Sequence, residues 1–174
     1  VILTGAKIKS EVLADRIHIS PFNEDCLEPN SYGFSISDEF IEYDKDEILD
    51  TKKNPKNHCF KITEEGYVLQ PQKVYLGRTL ETMGSNYYAK TLHARFSISS
   101  MGMWIHFSAP LGHTGAIIPW TLEILVAQPI RIYPYIKVGK IAFWTNEGEL
   151  NLYEGKYRGS KTVVASRSYI DYNK

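Results

Sequence analysis

Apolar runs in this chain are short, and glycine, proline and clustered polar residues break them repeatedly. None approaches the roughly 20 apolar residues that a membrane-spanning helix requires. Aromatic residues are abundant, with 12 Tyr, 7 Phe and 3 Trp among 174 residues, and such side chains suit the pleated, half-buried surface of a strand. Together these features predict a mainly β fold with many turns. A chain of this length is expected to form one domain, 1–174, that buries its own core, with a polar, flexible tail from about 148. One segment departs from the pattern. In LTGAKIKSEVLADRI, Ile8, Val12 and Leu13 recur at helical spacing behind Thr4, whose hydroxyl suits the free amides of a helix start. A short helix from about Gly5 to Ala14 is expected.

Strands are predicted at 17–19, 32–36, 60–62, 67–69, 74–80, 89–94, 103–107, 120–126, 130–133 and 140–144. Turns fall at Glu65-Gly66, Gln70-Pro71 and Met83 to Tyr88. Asp38 to Asn57, crowded with Asp, Lys and Asn, reads as a solvated loop. About ten short strands behind one N-terminal helix fit a distorted β-barrel or jelly roll.

The charges balance, 20 Lys and Arg against 20 Asp and Glu. No net attraction toward a nucleic-acid polymer or a membrane surface follows, although a local basic cluster could still hold a small phosphorylated ligand. The two cysteines, Cys26 and Cys59, are isolated and lack CxxC or CxxH spacing. That spacing points to a reducing compartment and to no zinc site. The first residues show no basic and then apolar signal pattern, so the expected location is the cytoplasm.

The stretch Ala94 to Glu123 organises the rest. It opens with an Arg in a Ser-rich turn, passes the apolar run Met103 to Phe107, turns at Pro110, Gly112 and Gly115, and enters the strand Trp120 to Val126. Alternation there points Trp120, Leu122 and Ile124 one way and Thr121 and Glu123 the other. A carboxylate on such a strand is costly unless it is paired, protonated or facing a polar pocket. Glu123 is therefore either a glutamate satisfied by a cation at a subunit contact or an acid–base group whose partial desolvation raises its pKa. His106 alternates with apolar neighbours and reads as a satisfied core histidine.

At these residues the chain resembles the dCTP deaminases, the deaminating branch of the trimeric dUTPase superfamily. Their shared pattern is roughly G-R-S-S-x-x-R-x-G, I-H-x-x-A, a P-G-F turn and T-L-E. Here it reads Ala94-Arg95-Phe96-Ser97-Ile98-Ser99-Ser100-Met101-Gly102, then Ile105-His106-Phe107-Ser108-Ala109, Thr114-Gly115-Ala116 and Thr121-Leu122-Glu123. The resemblance covers nearly the whole chain and implies a dUTPase-like barrel. It also implies a homotrimer with sites at subunit interfaces, a pyrimidine deoxynucleotide substrate, and metal-free hydrolysis of dCTP to dUTP and ammonia. By the same resemblance, Glu123 is the general base and then acid, and the Ala109 carbonyl orients the attacking water. Arg95, Ser97, Ser100, His113, Thr121, Tyr153, Lys156, Tyr157 and Ser160 fall at nucleotide-binding positions. Zinc deaminases need a His or Cys ligand beside a Glu together with P-C-x-x-C, a pattern missing from this sequence. No cofactor is expected at the base, with room for Mg2+ on the triphosphate.

Several family positions are substituted. Phe96 stands at the first Ser, Ser100 at the second Arg, His113 at an Asp near the sugar, Ser160 at a tail Gln, and Gly33 at the acid of a P-x-S-Y-D-L segment. Removing a guanidinium and a hydroxyl from one site weakens ligand or transition-state binding unless other groups compensate. Two further readings therefore stand beside the deaminase: a hydrolase acting on dUTP or a modified pyrimidine nucleotide, and a non-catalytic nucleotide-binding or regulatory protein.

Overall fold

The computed structural model describes residues 1–45, 48–106 and 108–172. Phe107, at the end of one expected strand, and Asp46 and Glu47, in the expected charged loop, lie outside the described residues. Helix α1 spans Gly5–Leu13, and the Thr4 hydroxyl accepts the Lys7 amide at 3.3 Å, as its spacing predicts. The helix turns Ile8 into the core and leaves Leu13 in solvent. Glu11 on the same helix is wholly buried. Its carboxylate is bound by Lys7 at 2.7 Å, by Arg16 at 2.5 and 2.6 Å, and by the Tyr88 hydroxyl at 2.8 Å.

The strands are β1 (His18–Ser20), β2 (Leu27–Glu28), β3 (Ser31–Tyr43), β4 (Asn57–Lys61), β5 (Tyr67–Leu69), β6 (Tyr75–Gly84), β7 (Tyr88–Ala94), β8 (Met103–Trp104), β9 (Leu111–Gly112), β10 (Ile117–Val126), β11 (Ile130–Ile132) and β12 (Lys137–Thr145). Short helices α2 (Phe96–Ser99) and α3 (Tyr169–Tyr172) complete the chain. Among the described residues, one antiparallel sheet runs in the order β8-β10-β6-β3-β12-β7-β9, with β1 on β6 and both β2 and β4 on β3; β5 and β11 pair separately. The sheet curls into a distorted, barrel-like shell around Phe34, Ile36, Phe40, Met83, Leu122, Ile124, Ile141 and Phe143. Among the described residues no helix is long and apolar enough to cross a membrane.

β3 joins the two halves of the shell. Its first residues pair with β12 and its later ones lie between β4 and β6, with a register shift between Ile36 and Phe40. Just before that shift the buried Glu81 carboxylate accepts the Ser35 amide at 3.0 and 3.2 Å. Such shifts bend a strand and re-aim its side chains. Close packing sets a second shift, on β12, where a Cβ at Gly139 would fall 2.3 Å from the Phe34 ring.

The structure corrects several boundaries. The expected loop 38–57 begins only after Tyr43, because the acids of β3 find distant cations: Asp38 meets Lys61 at 3.1 Å, Glu39 meets Arg78 at 2.5 Å and Glu42 meets Lys73 at 2.5 Å. Between them Phe40 and Ile41 are buried. β6 continues through Met83 and Gly84, which confines the expected turn there to 85–87, and β8 stops at Trp104 instead of running on.

Candidate active site

A cavity of about 540 Å³ lies between β10 and the tail that follows β12. Its wall includes Glu123, Ala109, His113, Thr121, Tyr153, Tyr157 and Ser160, which the sequence also singled out. Val74, Leu76, Leu111, Ile118 and Trp120 supply apolar surface. β10 buries Leu122 and Ile124, as alternation requires. Trp120 departs from that alternation. A register shift between Pro119 and Thr121, where the Thr79 hydroxyl accepts the Trp120 amide at 2.9 Å, places its ring on the cavity wall beside Thr121 and Glu123.

The tail lies back across this cavity. Tyr153 donates its amide to Thr114 O at 2.8 Å, Val164 N donates to the Thr121 hydroxyl at 3.1 Å, and Ser166 N donates to the Tyr43 hydroxyl at 2.9 Å. Val163 is buried against Ile41 and Leu76. The Tyr153 ring stacks on His113, with centroids 5.6 Å apart and planes 9° apart. Gly115 permits this approach: its φ is +92°, and a Cβ there would fall 2.8 Å from Tyr153 N.

Glu123 is partly buried, its side chain 29% exposed. The Ser108 hydroxyl donates to Oε2 at 3.4 Å, and His106 Nδ1 lies 3.9 Å from the same oxygen. The His106 imidazole, assisted by Ser108, holds the carboxyl below the ordinary glutamate value, overcoming the opposing effect of burial. The raised pKa expected from desolvation alone is thereby corrected. His106 is corrected as well. It lines the cavity, and its buried Nδ1 has no hydrogen-bond partner among the described residues, so it is no satisfied core histidine. Ser108, noted in the sequence only as part of a motif, also touches the acid. The I-H-x-x-A spacing was the signal for both residues.

Behind Trp120, Lys90 is completely buried. Its Nζ reaches Ser85 O at 3.4 Å and sits 5.8 Å from the Trp120 ring. Burial pushes its amine down to about 7.

Arg95, Ser97, Ser100 and Lys156 do not line the cavity, and no lysine or arginine among the described residues does. Arg95 caps the start of α2, with Nη1 3.9 Å from Glu28 Oε1, and Lys140 Nζ lies 3.9 Å from Glu28 Oε2. Gly33 sits beside this cluster: a Cβ there would come within 3.8 Å of Arg95 Nη1. Ser97 and Ser100 are exposed, and Phe96 stands 82% in solvent. Lys156 is ion-paired with Asp171, which raises its pKa. Among the described residues no three His, Cys, Asp or Glu side chains converge as a metal-ligand set.

Residues 2–146 match the dCTP deaminase-like family. A protein of Clostridium acetobutylicum named "dCTP deaminase, dUMP-forming" is 41% identical over 173 residues, covering 99% of both chains. One of the same name from Cytophaga hutchinsonii is 39% identical over 175 residues, covering 100% of both. Among solved structures, a 2'-deoxycytidine 5'-triphosphate deaminase from Agrobacterium tumefaciens superposes with a TM-score of 0.64 at 15% identity, over 86% of this chain and 50% of that one. This last likeness concerns the fold.

Proposed function

This chain belongs to the dCTP deaminase-like family, and on that premise we propose that it is a hydrolase that deaminates dCTP. The observation that carries the reading is the convergence of Glu123, Ala109, His113, Thr121, Tyr153, Tyr157 and Ser160 on one cavity. Water held by the Ala109 carbonyl adds to C4 of the cytosine. Glu123 takes a proton from that water and returns it to N3. It then takes the second proton from the C4 hydroxyl to the leaving amine, which departs as ammonia, and the carboxylate is regenerated. The relatives named dUMP-forming favour a further hydrolysis, giving dUMP and pyrophosphate as end products in place of dUTP.

A triphosphate needs cations that the cavity wall does not supply. In this reading a second copy brings Arg95 and Ser97 to the nucleotide, in a homotrimer, and Lys156 leaves Asp171 to join them. Ser100, at the end of α2, lies beside the same phosphates, and Mg2+ rides on the triphosphate. The protein works on free nucleotides in the cytoplasm, independent of nucleic-acid polymers and membranes.

One observation favours a second reading, a nucleotide-binding protein without turnover. Where the family places a hydroxyl, this chain exposes the apolar Phe96, with Ser100 in place of a guanidinium. Purified protein incubated with magnesium and dCTP, dUTP, dCMP, CTP or CMP separates the readings by chromatography and a coupled ammonia assay. Ammonia, dUMP and pyrophosphate from dCTP, all lost in Glu123→Gln, establish the deaminase. Pyrophosphate without ammonia indicates a hydrolase of dUTP type, and tight binding without product indicates the binding protein.

A further inference from the structure

Both side-chain contacts of the Glu123 carboxylate fall on one oxygen, beside a backbone hydrogen bond from Ser108. The Ser108 hydroxyl and His106 Nδ1 approach Oε2, at 3.4 and 3.9 Å. The His106 side chain is only 6% exposed, and among the described residues its Nδ1 is the buried side-chain polar atom with no hydrogen-bond partner. A buried nitrogen left unpaired is costly in a folded protein. Here the unpaired atom faces the wall of the cavity and the carboxylate within it.

Among the described residues, Glu123, on β10, is the acid that pairs with the imidazole. His93, on β7, and Lys140, on β12 beyond it, are both basic, and the pKa of His93 is lowered by burial first, then by Lys140 and His106. Tyr43, across the cavity, feels the Glu123 charge, which helps raise its phenol pKa behind the larger effect of burial.

We propose that His106 is a positioning residue for Glu123: with Ser108 it approaches Oε2 and orients the carboxylate, so that Oε1 takes the proton from water and hands it to the ring. The inference rests on the acid–base reading of Glu123 and divides the work between its two oxygens. The proton balance is unchanged by it. Each proton taken by Oε1 is delivered to N3 or to the amine, and the imidazole ends each turnover in the state in which it began.

The test is the titration of Glu123 in the wild type, His106→Leu and His106→Asn, read by carbon NMR of 13C-labelled glutamate side chains, with Glu123→Gln identifying the resonance. The pH dependence of kcat/KM for ammonia release is measured alongside. Removing the group that lowers the Glu123 pKa raises it, so in His106→Leu both the resonance and the acid limb of the rate profile move to higher pH. An Asn amide can donate near the Nδ1 position, so His106→Asn recovers part of the shift. A Glu123 resonance that titrates at the same pH in all three proteins overturns the proposal, and so does a loss of rate in His106→Leu with the acid limb in place. If His106→Leu does not fold, the Asn variant and Ser108→Ala carry the same comparison. If the wild type releases no ammonia from any cytosine nucleotide, the proposed function fails, and the NMR titration still decides whether His106 governs Glu123.

Discussion

Glu11, on α1, and Glu123, on β10, both set a carboxylate against a mostly apolar interior, and the fold provides for them in opposite ways. Glu11 is sealed from solvent, with Arg16 on both oxygens, Lys7 on one and the Tyr88 hydroxyl on the other. These partners hold its pKa far below the ordinary glutamate range, the Arg16 guanidinium contributing most. Glu123 has two long side-chain contacts, both on Oε2, a backbone hydrogen bond from Ser108, and a cavity in front of it. An acid with every lone pair engaged is fixed in place. An acid held by long contacts at the edge of a cavity can exchange protons, and that is the difference between a structural carboxylate and one equipped for chemistry.

The sharpest way to break the comparison is to neutralise each acid in turn. Glu123→Gln is expected to lower ammonia release from dCTP by about 10³-fold, the usual range for losing a general acid–base group, with little change in the urea midpoint. Lys90 supplies the next test, as a buried amine that no ion pair reaches among the described residues. With its amine at about 7 in the folded protein and near 10.4 in the unfolded chain, the unfolded state binds more protons between those values. The penalty is therefore full below about pH 7 and fades as pH rises toward 10.4. Lys90→Met should stabilise the protein at pH 6 by about 3 kcal/mol and flatten the alkaline rise in stability seen by urea unfolding.

Glu11→Gln is expected to cost about 2 kcal/mol, less than a fully buried pair because Arg16 and Lys7 remain partly hydrated, while the kcat of surviving enzyme is retained. Because the Glu11 pKa is depressed on folding, its contribution is complete above the unfolded glutamate value and is lost as pH falls below it. The smallest effect belongs to Thr4→Ala, which removes the N-terminal cap of the helix that carries Glu11 and should cost about 1 kcal/mol without altering turnover. A large loss of turnover in either α1 variant would collapse the distinction between the two acids.

Local chemistry made part of this legible in the sequence. Thr4 marks the helix start through its own hydroxyl, and the alternation around Leu122 and Ile124 marks β10 and its acid. The turn at Gly115 and the tail tyrosines reach the cavity that the family pattern implies. What was hidden depends on partners far along the chain. Asp38, Glu39 and Glu42 look like a solvated loop until Lys61, Arg78 and Lys73 arrive from other strands. Lys90 sits on a strand with no local sign that it is buried. The His106 nitrogen looks ordinary until the folded wall leaves it, among the described residues, without a hydrogen-bond partner. The resemblance names Arg95 and Glu123 together, yet a single chain keeps the Arg95 turn off the cavity wall.

The hydrogen bond from Val164 to Thr121 also sets up a competition at equilibrium. The tail is covalently attached to β12, so its amide faces the Thr121 hydroxyl at the effective concentration of a tethered group, in the millimolar range for a short flexible connection. A ligand that needs this hydroxyl meets a rival that dilution cannot remove. Its apparent affinity then reports a competition as well as a contact, set against what Tyr153, Tyr157 and Ser160 of the same tail add to the cavity wall.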